Sequence, residues 1–347
     1  MQYYIKKIIK YLLVLFVLVY GYSSFSYNNR NHDLLYVSTY TNLTNHIHKA
    51  NYSKPVMDRY SNKIADVKEG VWSSLWNKID IIFVGPGSHK MEWLRSFVAR
   101  NSVSVYFTGE PNTPDTKKWD LSLGFDYLDD ENYLRYPFYV EVFSDKLNLD
   151  YKRGKCEPKK KKYFACFLYR NGSAKARGDN NHTTFGDGIA ARKSIFEKLS
   201  KYKFVASGGK YMNNINYVVP YGETADWLEN CKFVISYESR AKDGYLTEKL
   251  PQAYFSGSVP IYYGSPSYYK DVNKKAVIYE KDFADQDALV EYIKKVDKDD
   301  DLYCKIWNER LIVKEEQTFA YKQKQLIAKY EKYIFLKIKI NNNLAND

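Results

Sequence analysis

Short, nearly continuous apolar runs alternate along the chain with stretches whose apolar residues recur at helical spacing. The run DIIFVG at 80–85 leads into Pro-Gly and is typical of a buried strand that enters a loop. The segment MEWLRSFVARN at 91–101 places Trp93 and Phe97 on one helical stripe, and SVSVYFTG at 102–109 predicts a second strand. This strand–helix–strand order predicts a parallel sheet.

The second half of the chain shows the same alternation. YFACFLY at 163–169, FVISYE at 233–238 and VPIYYG at 259–264 predict strands, and ARKSIFEKLSKY at 191–202 predicts a helix. The fold class is therefore α/β, with two domains whose parallel sheets face each other across a cleft.

A charge run with Gly and Pro, YKRGKCEPKKKK, separates the two halves and predicts a linker. The predicted segments are a cytoplasmic tail and membrane anchor at 1–26, a stem at 27–33, a first domain at 34–150, the linker at 151–162, a second domain at 163–335 and a C-terminal tail at 336–347.

The N-terminus predicts a single-pass membrane anchor with the rest of the chain across the membrane. Lysines precede YLLVLFVLVYGY at 11–22, and about 19 residues there carry a single charge, close to a bilayer span. A cleaved signal peptide is the competing interpretation, although Ser24-Phe25-Ser26 is a poor cleavage site. Asn-x-Ser/Thr triplets fit a lumenal domain; they begin at Asn42, Asn51, Asn171 and Asn181.

The formal charge of +12 favours an anionic partner, such as a phosphorylated small molecule, anionic lipid or nucleic acid. Solvated lysines account for most of this excess, and the run Lys159–Lys162 has no interleaved aromatic residues or DNA-binding motif near it. Four widely spaced cysteines show no metal-ligand spacing. Two disulfides and free buried thiols both remain open.

The stretch GYLTEKLPQAYFSGSVPIYYG at 244–264 places a Glu-Lys pair where a helix begins. Thr247 is the predicted N-cap, and a proline follows in the first turn. We expect Lys249 to face a phosphate, Glu248 to accept hydrogen bonds from sugar hydroxyls, and Tyr245 to donate to a phosphate or stack on a ring. The purely structural alternative is a capped surface helix with an incidental ion pair.

Taken whole, this stretch resembles the donor-binding signature of the α-1,3-fucosyltransferases, glycosyltransferase family 10. Three other blocks are similar to that family in the same order: VYFTGEPNTPDTKKWDLSLGFDYL at 105–128, FACFLYRN at 164–171 and ARKSIFEKLSKYKFVASGGKYMNN at 191–214. The resemblance covers roughly residues 105–264 of the sequence.

The resemblance implies a GT-B fold of two Rossmann-like domains. It also implies an inverting transfer of L-fucose from GDP-β-L-fucose to O3 of GlcNAc in a glycan acceptor. Glu110 matches the family's proposed general base; a loop carboxylate bonded to backbone is the alternative. Arg192 and Lys249 match the residues that hold the diphosphate. The whole donor-binding set carried over is Asn171, Arg192, Glu238, Tyr245, Glu248 and Lys249.

Two departures from the family pattern bear on the pocket. Arg170 replaces a Ser, and Ser239 replaces an Asn that would contact the ribose or base. A polar insert at 172–188 also leaves Arg177 as an alternative to Arg192 for the diphosphate. Arg192 is preferred because helix packing determines its direction.

The resemblance implies no bound metal or other cofactor. Asp-x-Asp patterns occur at 285–287 and within 297–301, outside the matching blocks, and are interpreted as surface. Mn²⁺ is expected to stimulate only by binding the free diphosphate product. The expected partners are GDP-fucose, a GlcNAc-containing glycan and the membrane, with no nucleic acid; the expected location is the Golgi or secretory-pathway lumen in a eukaryote.

Three alternatives remain open at this point. The first is a transferase of the same fold that uses another nucleotide sugar, which Arg170 and Ser239 would permit. The second is a non-catalytic glycan-binding module, against which Glu110, Glu248 and Lys249 argue together. The third is a protein that binds anionic surfaces or nucleic acid.

Overall fold

The computed structural model describes residues 35–40, 50–69, 80–85, 102–172 and 187–338, which form two α/β domains. The predicted anchor and stem at 1–33 and the predicted helix at 91–101 lie outside these residues. Within the described ranges no helix is both long enough and apolar enough to cross a bilayer.

The first domain contains a sheet whose six described strands are all parallel, in the order β2-β1-β3-β4-β5-β6. The strands are β1 Leu35–Tyr40, β2 Ile64–Glu69, β3 Ile81–Val84, β4 Val103–Phe107, β5 Leu121–Gly124 and β6 Tyr133–Arg135. Every residue of β3, β4 and β5 is buried. This burial on both faces explains why the sequence shows continuous apolar runs rather than alternation.

The second domain contains a parallel sheet whose five described strands have the order β11-β10-β9-β7-β8. The strands are β7 Tyr163–Phe167, β8 Val205–Ser207, β9 Cys231–Tyr237, β10 Val259–Tyr263 and β11 Ile278–Tyr279. The strand order reverses between β7 and β9. Open parallel sheets bind ligands outside the carboxyl ends of the strands at such a point.

Helices cover the sheets as the predicted α/β class requires. They are α1 Lys54–Arg59, α2 Phe138–Val142, α3 Asp187–Ser200, α4 Thr224–Glu229, α5 Lys249–Phe255, α6 Gln286–Lys298, α7 Asp300–Trp307 and α8 Phe319–Lys329, which continues into a π-helical turn at Tyr330–Phe335. The helix predicted at 191–202 is α3, and the predicted strands of both halves are confirmed. Helix and strand boundaries differ from the predictions by a few residues.

The segment predicted as a linker is held firmly to the second domain. Cys156 is joined by a disulfide to Cys304 on α7. The Arg153 guanidinium lies between two aromatic rings, 3.9 Å from the centre of Tyr254 and 4.2 Å from that of Trp307. A second disulfide, Cys166–Cys231, joins β7 to β9. Both disulfides resolve a choice that the cysteine spacing left open.

The end of the described chain returns to the first domain. Leu326, Tyr330 and Ile334 belong to the same buried apolar cluster as Val56 under the first sheet. The Tyr330 hydroxyl donates to the Tyr52 carbonyl at 2.7 Å. The predicted domain limits remain predictions, but α8 and the turn after it pack on the first domain, although the sequence placed them with the second.

A buried ion pair joins the two domains. Arg135, the last residue of β6, binds both carboxylate oxygens of Asp271 at 2.7 Å. The same guanidinium donates to the carbonyls of Phe125 and Gly244 at 2.9 Å. Gly244 has a φ of +76°, and a Cβ there would lie 2.3 Å from the Phe125 oxygen. Only glycine permits this approach of the two backbones.

We expect Arg135→Met to reduce the free energy of unfolding by about 3–5 kcal/mol, because it leaves the buried Asp271 carboxylate without its cation. Urea denaturation followed by circular dichroism measures this loss. The double variant Arg135→Met/Asp271→Leu should recover most of it, since neither charge then remains buried. A single variant as stable as the wild type would show that this pair does not hold the domains together.

Candidate active site

The carboxyl ends of β4, β7 and β9 converge on the space between the two domains. Glu110 follows β4 in the first domain, whereas Glu238 directly follows β9 in the second. The residues that the sequence selected at 238–249 all lie on the second-domain side of this space. The site is therefore assembled from segments that are remote along the chain.

Glu238 is fully buried and organises the segment that carries Lys249. Its carboxylate accepts the Thr247 backbone N–H at 2.8 Å and the Thr247 hydroxyl at 2.8–2.9 Å. The Lys249 ammonium lies 3.2 Å from Glu238 Oε2 and 3.3 Å from Glu248 Oε1, and donates to Thr247 Oγ1 at 2.8 Å. Glu238 therefore positions Lys249 as well as neutralising part of its charge.

The predicted role of Thr247 as N-cap is wrong. Helix α5 begins at Lys249, and Glu248 occupies the N-cap position without a capping hydrogen bond from its side chain. The Thr247 hydroxyl is bonded to the Glu238 carboxylate instead, since a buried carboxylate attracts every donor within reach.

Lys249 is held protonated. Burial alone would lower its pKa, but the carboxylates of Glu238 and Glu248 outweigh that effect and raise the pKa well above its usual value. The Lys249 side chain is 26% exposed, so part of it borders the cleft. Lys249 thus presents a fixed positive charge at the β9 end.

Glu110 lies across the cleft from this cation. Its backbone N–H donates to Thr108 Oγ1 at 3.0 Å, and the Thr108 hydroxyl donates back to the Glu110 carbonyl at 3.2 Å. The pKa of the Glu110 carboxyl is raised, first by burial and further by Glu248, while Lys249 opposes the rise. Glu110, Glu248 and Lys249 are therefore close enough to influence one another's charge, as the predicted site requires.

The loop alternative for Glu110 involved a carboxylate bonded to backbone. In the structure the backbone of Glu110, not its carboxylate, makes the local hydrogen bonds with Thr108. Within the described ranges no hydrogen bond or ion pair engages the Glu110 carboxylate, which leaves it free to accept a proton.

Arg192 is buried on α3 at the crevice between β7 and β9. Its side chain is 5% exposed, and its guanidinium lies 4.1 Å from the centre of the Tyr169 ring. The Tyr169 hydroxyl accepts the Tyr237 N–H at 2.7 Å, so the ring is anchored to β9. Arg192 has no carboxylate partner among the residues that the structure describes. A buried guanidinium in this state is suited to an anionic ligand.

Arg192 and Lys249 both lie near enough to Tyr169 to act on its hydroxyl. Burial raises the pKa of the Tyr169 hydroxyl, and both cations oppose that rise. Gly188 brings α3 against the end of β9, since a Cβ there would lie 2.2 Å from the Glu238 carbonyl oxygen. Tyr169 and the end of β9 are thus common neighbours of the two residues that the resemblance assigns to the diphosphate, and that assignment stays a prediction.

The remaining predicted donor residues are less directly placed. Asn171 is exposed and borders residues 173–186, which lie outside the described residues together with Arg177. Tyr245 is buried, and its ring packs edge-on against Phe125 at 4.8 Å between centres. Tyr245 therefore contributes to the domain contact, and its predicted donor contact stays a prediction.

Sequence reasoning missed a second link across the cleft. The Lys242 ammonium lies 2.6 Å from Asp126 Oδ1 and donates to the Pro111 carbonyl at 3.1 Å and to Thr113 Oγ1 at 2.9 Å. It ties the loop after β9 to the loop that carries Glu110. Asp126 lies in a sequence block that resembles the family, and Lys242 lies just before another. However, no local spacing rule pairs residues from different domains.

The aspartates of the Asp-x-Asp patterns have structural contacts. Asp285 caps α6 by accepting the N–H groups of Asp287 and Ala288 at 2.9 Å. Asp297 is buried and paired with Lys232 at 3.3 Å, so its predicted surface position is wrong. Across the described ranges no three His, Cys, Asp or Glu side chains are grouped as a metal site would need. Independence from metal stays a prediction.

Two family models match the chain in order. Residues 80–142 match the model of the alpha-(1,3)-fucosyltransferase FucT N-terminal domain. Residues 179–334 match the model of the glycosyltransferase family 10 (fucosyltransferase) C-terminal domain. Together they span more than half of the chain and include Glu110 in the first and Arg192, Glu238 and Lys249 in the second.

Individual relatives agree with these models. An alpha-(1,3)-fucosyltransferase FucT of Helicobacter pylori is 30% identical over 213 residues, which are 56% of this chain and 44% of that protein. A mouse 4-galactosyl-N-acetylglucosaminide 3-alpha-L-fucosyltransferase 9 is 31% identical over 126 residues, 35% of this chain and 33% of that protein. The chain thus spans less than half the length of these curated relatives.

A solved structure shares the fold over most of the chain. It is a crystal structure of an alpha1,3-fucosyltransferase with GDP-fucose, with a TM-score of 0.66 and 22% identity. The match covers 88% of this chain and 91% of that one. This likeness confirms the α/β architecture with two parallel sheets.

The site geometry predicts that inorganic pyrophosphate binds between Arg192 and Lys249. We expect Arg192→Ala or Lys249→Ala to weaken binding about 10–100-fold, because each removes a charge-assisted hydrogen bond. Isothermal titration calorimetry measures the affinity. Lys193→Ala is the matched control, because Lys193 neighbours Arg192 but is exposed and pairs with Glu197. Equal affinity in all four proteins would place the anion elsewhere.

Proposed function

We propose, for a chain that belongs to glycosyltransferase family 10, that it is an inverting fucosyltransferase. It transfers L-fucose from GDP-β-L-fucose to O3 of GlcNAc in a glycan acceptor and forms an α-1,3-fucoside. The observation that carries the proposal is the Glu110 carboxylate, which no described residue binds and which lies within electrostatic reach of the fixed cation Lys249 in the other domain. The names of the bacterial and mouse relatives support the reaction, and the mouse name supports the acceptor.

The reaction is a single displacement. The acceptor hydroxyl attacks the anomeric carbon of fucose as the bond from that carbon to the diphosphate oxygen breaks, which inverts the anomeric configuration. Glu110 takes the proton of the hydroxyl, so the new glycosidic oxygen carries no charge. GDP leaves with the electron pair of the broken bond and an additional negative charge.

The second domain stabilises the departing diphosphate. Lys249 supplies a point charge held by Glu238 and Thr247, and Arg192 supplies a planar donor pair held by Tyr169. Both are in place before the reaction, so charge that develops on the leaving group meets oriented partners without reorganisation. Glu248 is left to accept hydrogen bonds from the donor sugar, and Asn171 is assigned to the same cleft by its match to the family pattern.

Two cations would also make a bound metal unnecessary. We expect turnover to persist in EDTA, with Mn²⁺ acting only on the free GDP product. The proposed location is an oxidising compartment such as the secretory-pathway lumen, which two disulfides support. A membrane anchor at residues 1–26 is also part of this proposal. It is based on the sequence, because those residues lie outside the described ranges.

The activity is tested with the chain from residue 30 onward, GDP-fucose and N-acetyllactosamine. We expect GDP release together with a fucosylated trisaccharide, identified by mass spectrometry and linkage analysis, with and without EDTA. GDP release without the trisaccharide would keep the donor and reject the acceptor. Turnover with UDP-sugars but not GDP-fucose would reject the proposed donor.

The raised pKa of Glu110 predicts the acid limb of the pH–rate profile. A general base must be ionised, so activity falls as the pH drops through the Glu110 pKa, and the midpoint of kcat/KM should lie above the ordinary value for glutamate. Glu110→Ala should lower the kcat of transfer about 100-fold or more and leave the affinity for GDP unchanged. Near-normal kcat in that variant would assign the base to another residue.

A further inference from the structure

The loop at 208–221, which follows β8, packs tightly on the chain segment that leaves β7. The Tyr211 N–H donates to the Tyr169 carbonyl at 3.0 Å. A Cβ on Gly209 would lie 1.9 Å from that carbonyl oxygen, and a Cβ on Gly172 would lie 1.9 Å from the Tyr211 ring. Arg170, between these contacts, is therefore held beside the loop at the carboxyl edge of the sheet.

Tyr221 ends this loop and exposes an aromatic ring. The residue is 71% exposed and begins a single 3₁₀ turn after Pro220. Surrounding protein atoms still raise the pKa of its hydroxyl by burial; Glu248 adds to the rise and Arg170 opposes it. The Val219 N–H donates to the Gly208 carbonyl at 2.9 Å, and the Gly208 N–H donates to the Phe167 carbonyl at 3.1 Å, so the loop returns to the carboxyl ends of β8 and β7 just before Tyr221.

The loop is held in an unusual backbone conformation. Met212 and Asn216 have φ values of 55° and 54°, in the left-handed region that residues other than glycine seldom adopt. The Asn213 side-chain amide donates to the carbonyls of Gly209 and Tyr217, both at 2.8 Å. Such conformations persist where surrounding contacts enforce them, and they are common at ligand sites.

The position of the cations determines which part of the donor can reach Tyr221. In the proposed function the diphosphate binds near Lys249 and Arg192, and the fucose extends from it toward Glu110 in the first domain. The nucleoside must leave the diphosphate in the other direction, along the edge of the second sheet. Arg170 and Tyr221 lie along that edge, because β8 flanks β7 on the side away from β9.

We propose that Tyr221 and Arg170 form the platform for the guanine base of the donor. The base stacks on the Tyr221 ring, as bases do on exposed aromatic side chains. The Arg170 guanidinium donates to guanine O6 and N7, a pairing that adenine and uracil cannot offer. Arg170 is one of the two departures from the family pattern, and it supplies a base contact in a pocket where Ser239 replaces an asparagine.

This proposal rests on the proposed function and specifies how the donor nucleotide is selected. The test measures the affinities of GDP, ADP, UDP and inorganic pyrophosphate by isothermal titration calorimetry on the same chain. The variants are Tyr221→Ala, Tyr221→Phe and Arg170→Ser. Tyr217→Ala is the matched control, since Tyr217 is 47% exposed in the same loop but its hydroxyl is bonded to Glu223 at 2.5 Å.

We expect Tyr221→Ala to weaken GDP binding about 10–100-fold and to leave the affinity for pyrophosphate unchanged, because only base stacking is lost. Tyr221→Phe and Tyr217→Ala should bind GDP as the wild type does. Arg170→Ser should reduce the preference for GDP over ADP about 10-fold or more.

Other outcomes separate the two proposals. GDP affinity that survives Tyr221→Ala, or an equal loss for GDP and pyrophosphate, would overturn the role of Tyr221. An unchanged GDP-to-ADP preference in Arg170→Ser would overturn the role of Arg170. A wild type that binds pyrophosphate but favours UDP over GDP would instead overturn the proposed donor, and the guanine platform with it.

Discussion

The cleft depends on the contact that Arg135 makes with Asp271. One guanidinium binds a buried carboxylate with two hydrogen bonds and also donates to carbonyls of both domains. The approach is possible only because Gly244 has no side chain and a backbone that other residues rarely adopt. Breaking this contact would leave a buried charge, so the relative position of the domains is strongly held.

The geometry of the candidate site follows from that position. Glu110 and Lys249 belong to different domains, and they share an electrostatic environment only while the domains stay in register. The Lys242–Asp126 pair and the Tyr245–Phe125 ring contact bring the same two loops together closer to the chemistry. The return of α8 to the first domain adds a further connection far from the cleft.

The charges in the cleft are arranged so that one cation is compensated and the other is not. Lys249 has Glu238 and Glu248 as partners, which keep it protonated, whereas Arg192 rests on the face of Tyr169. Arg192 is therefore the cation of this pair that has no carboxylate partner among the described residues. The proposed guanine platform extends this logic, since it selects the nucleotide at the end of the donor farthest from the reacting carbon.

Local patterns in the sequence determined much of this protein. Apolar runs and helical stripes identified the α/β class and most strands, because a buried parallel strand and a packed helix each require a characteristic periodicity. The motif at 244–264 identified Lys249, Glu248 and Tyr245, because they lie close together along the chain. Only the tertiary structure decided the partners of those residues. Thr247 serves Glu238 rather than the helix, Asp297 is buried, the cysteines pair at long range, and Lys242 reaches Asp126 in the other domain. These contacts depend on how the two sheets are placed in space. The sequence between two such partners has no periodic pattern that would reveal that they meet.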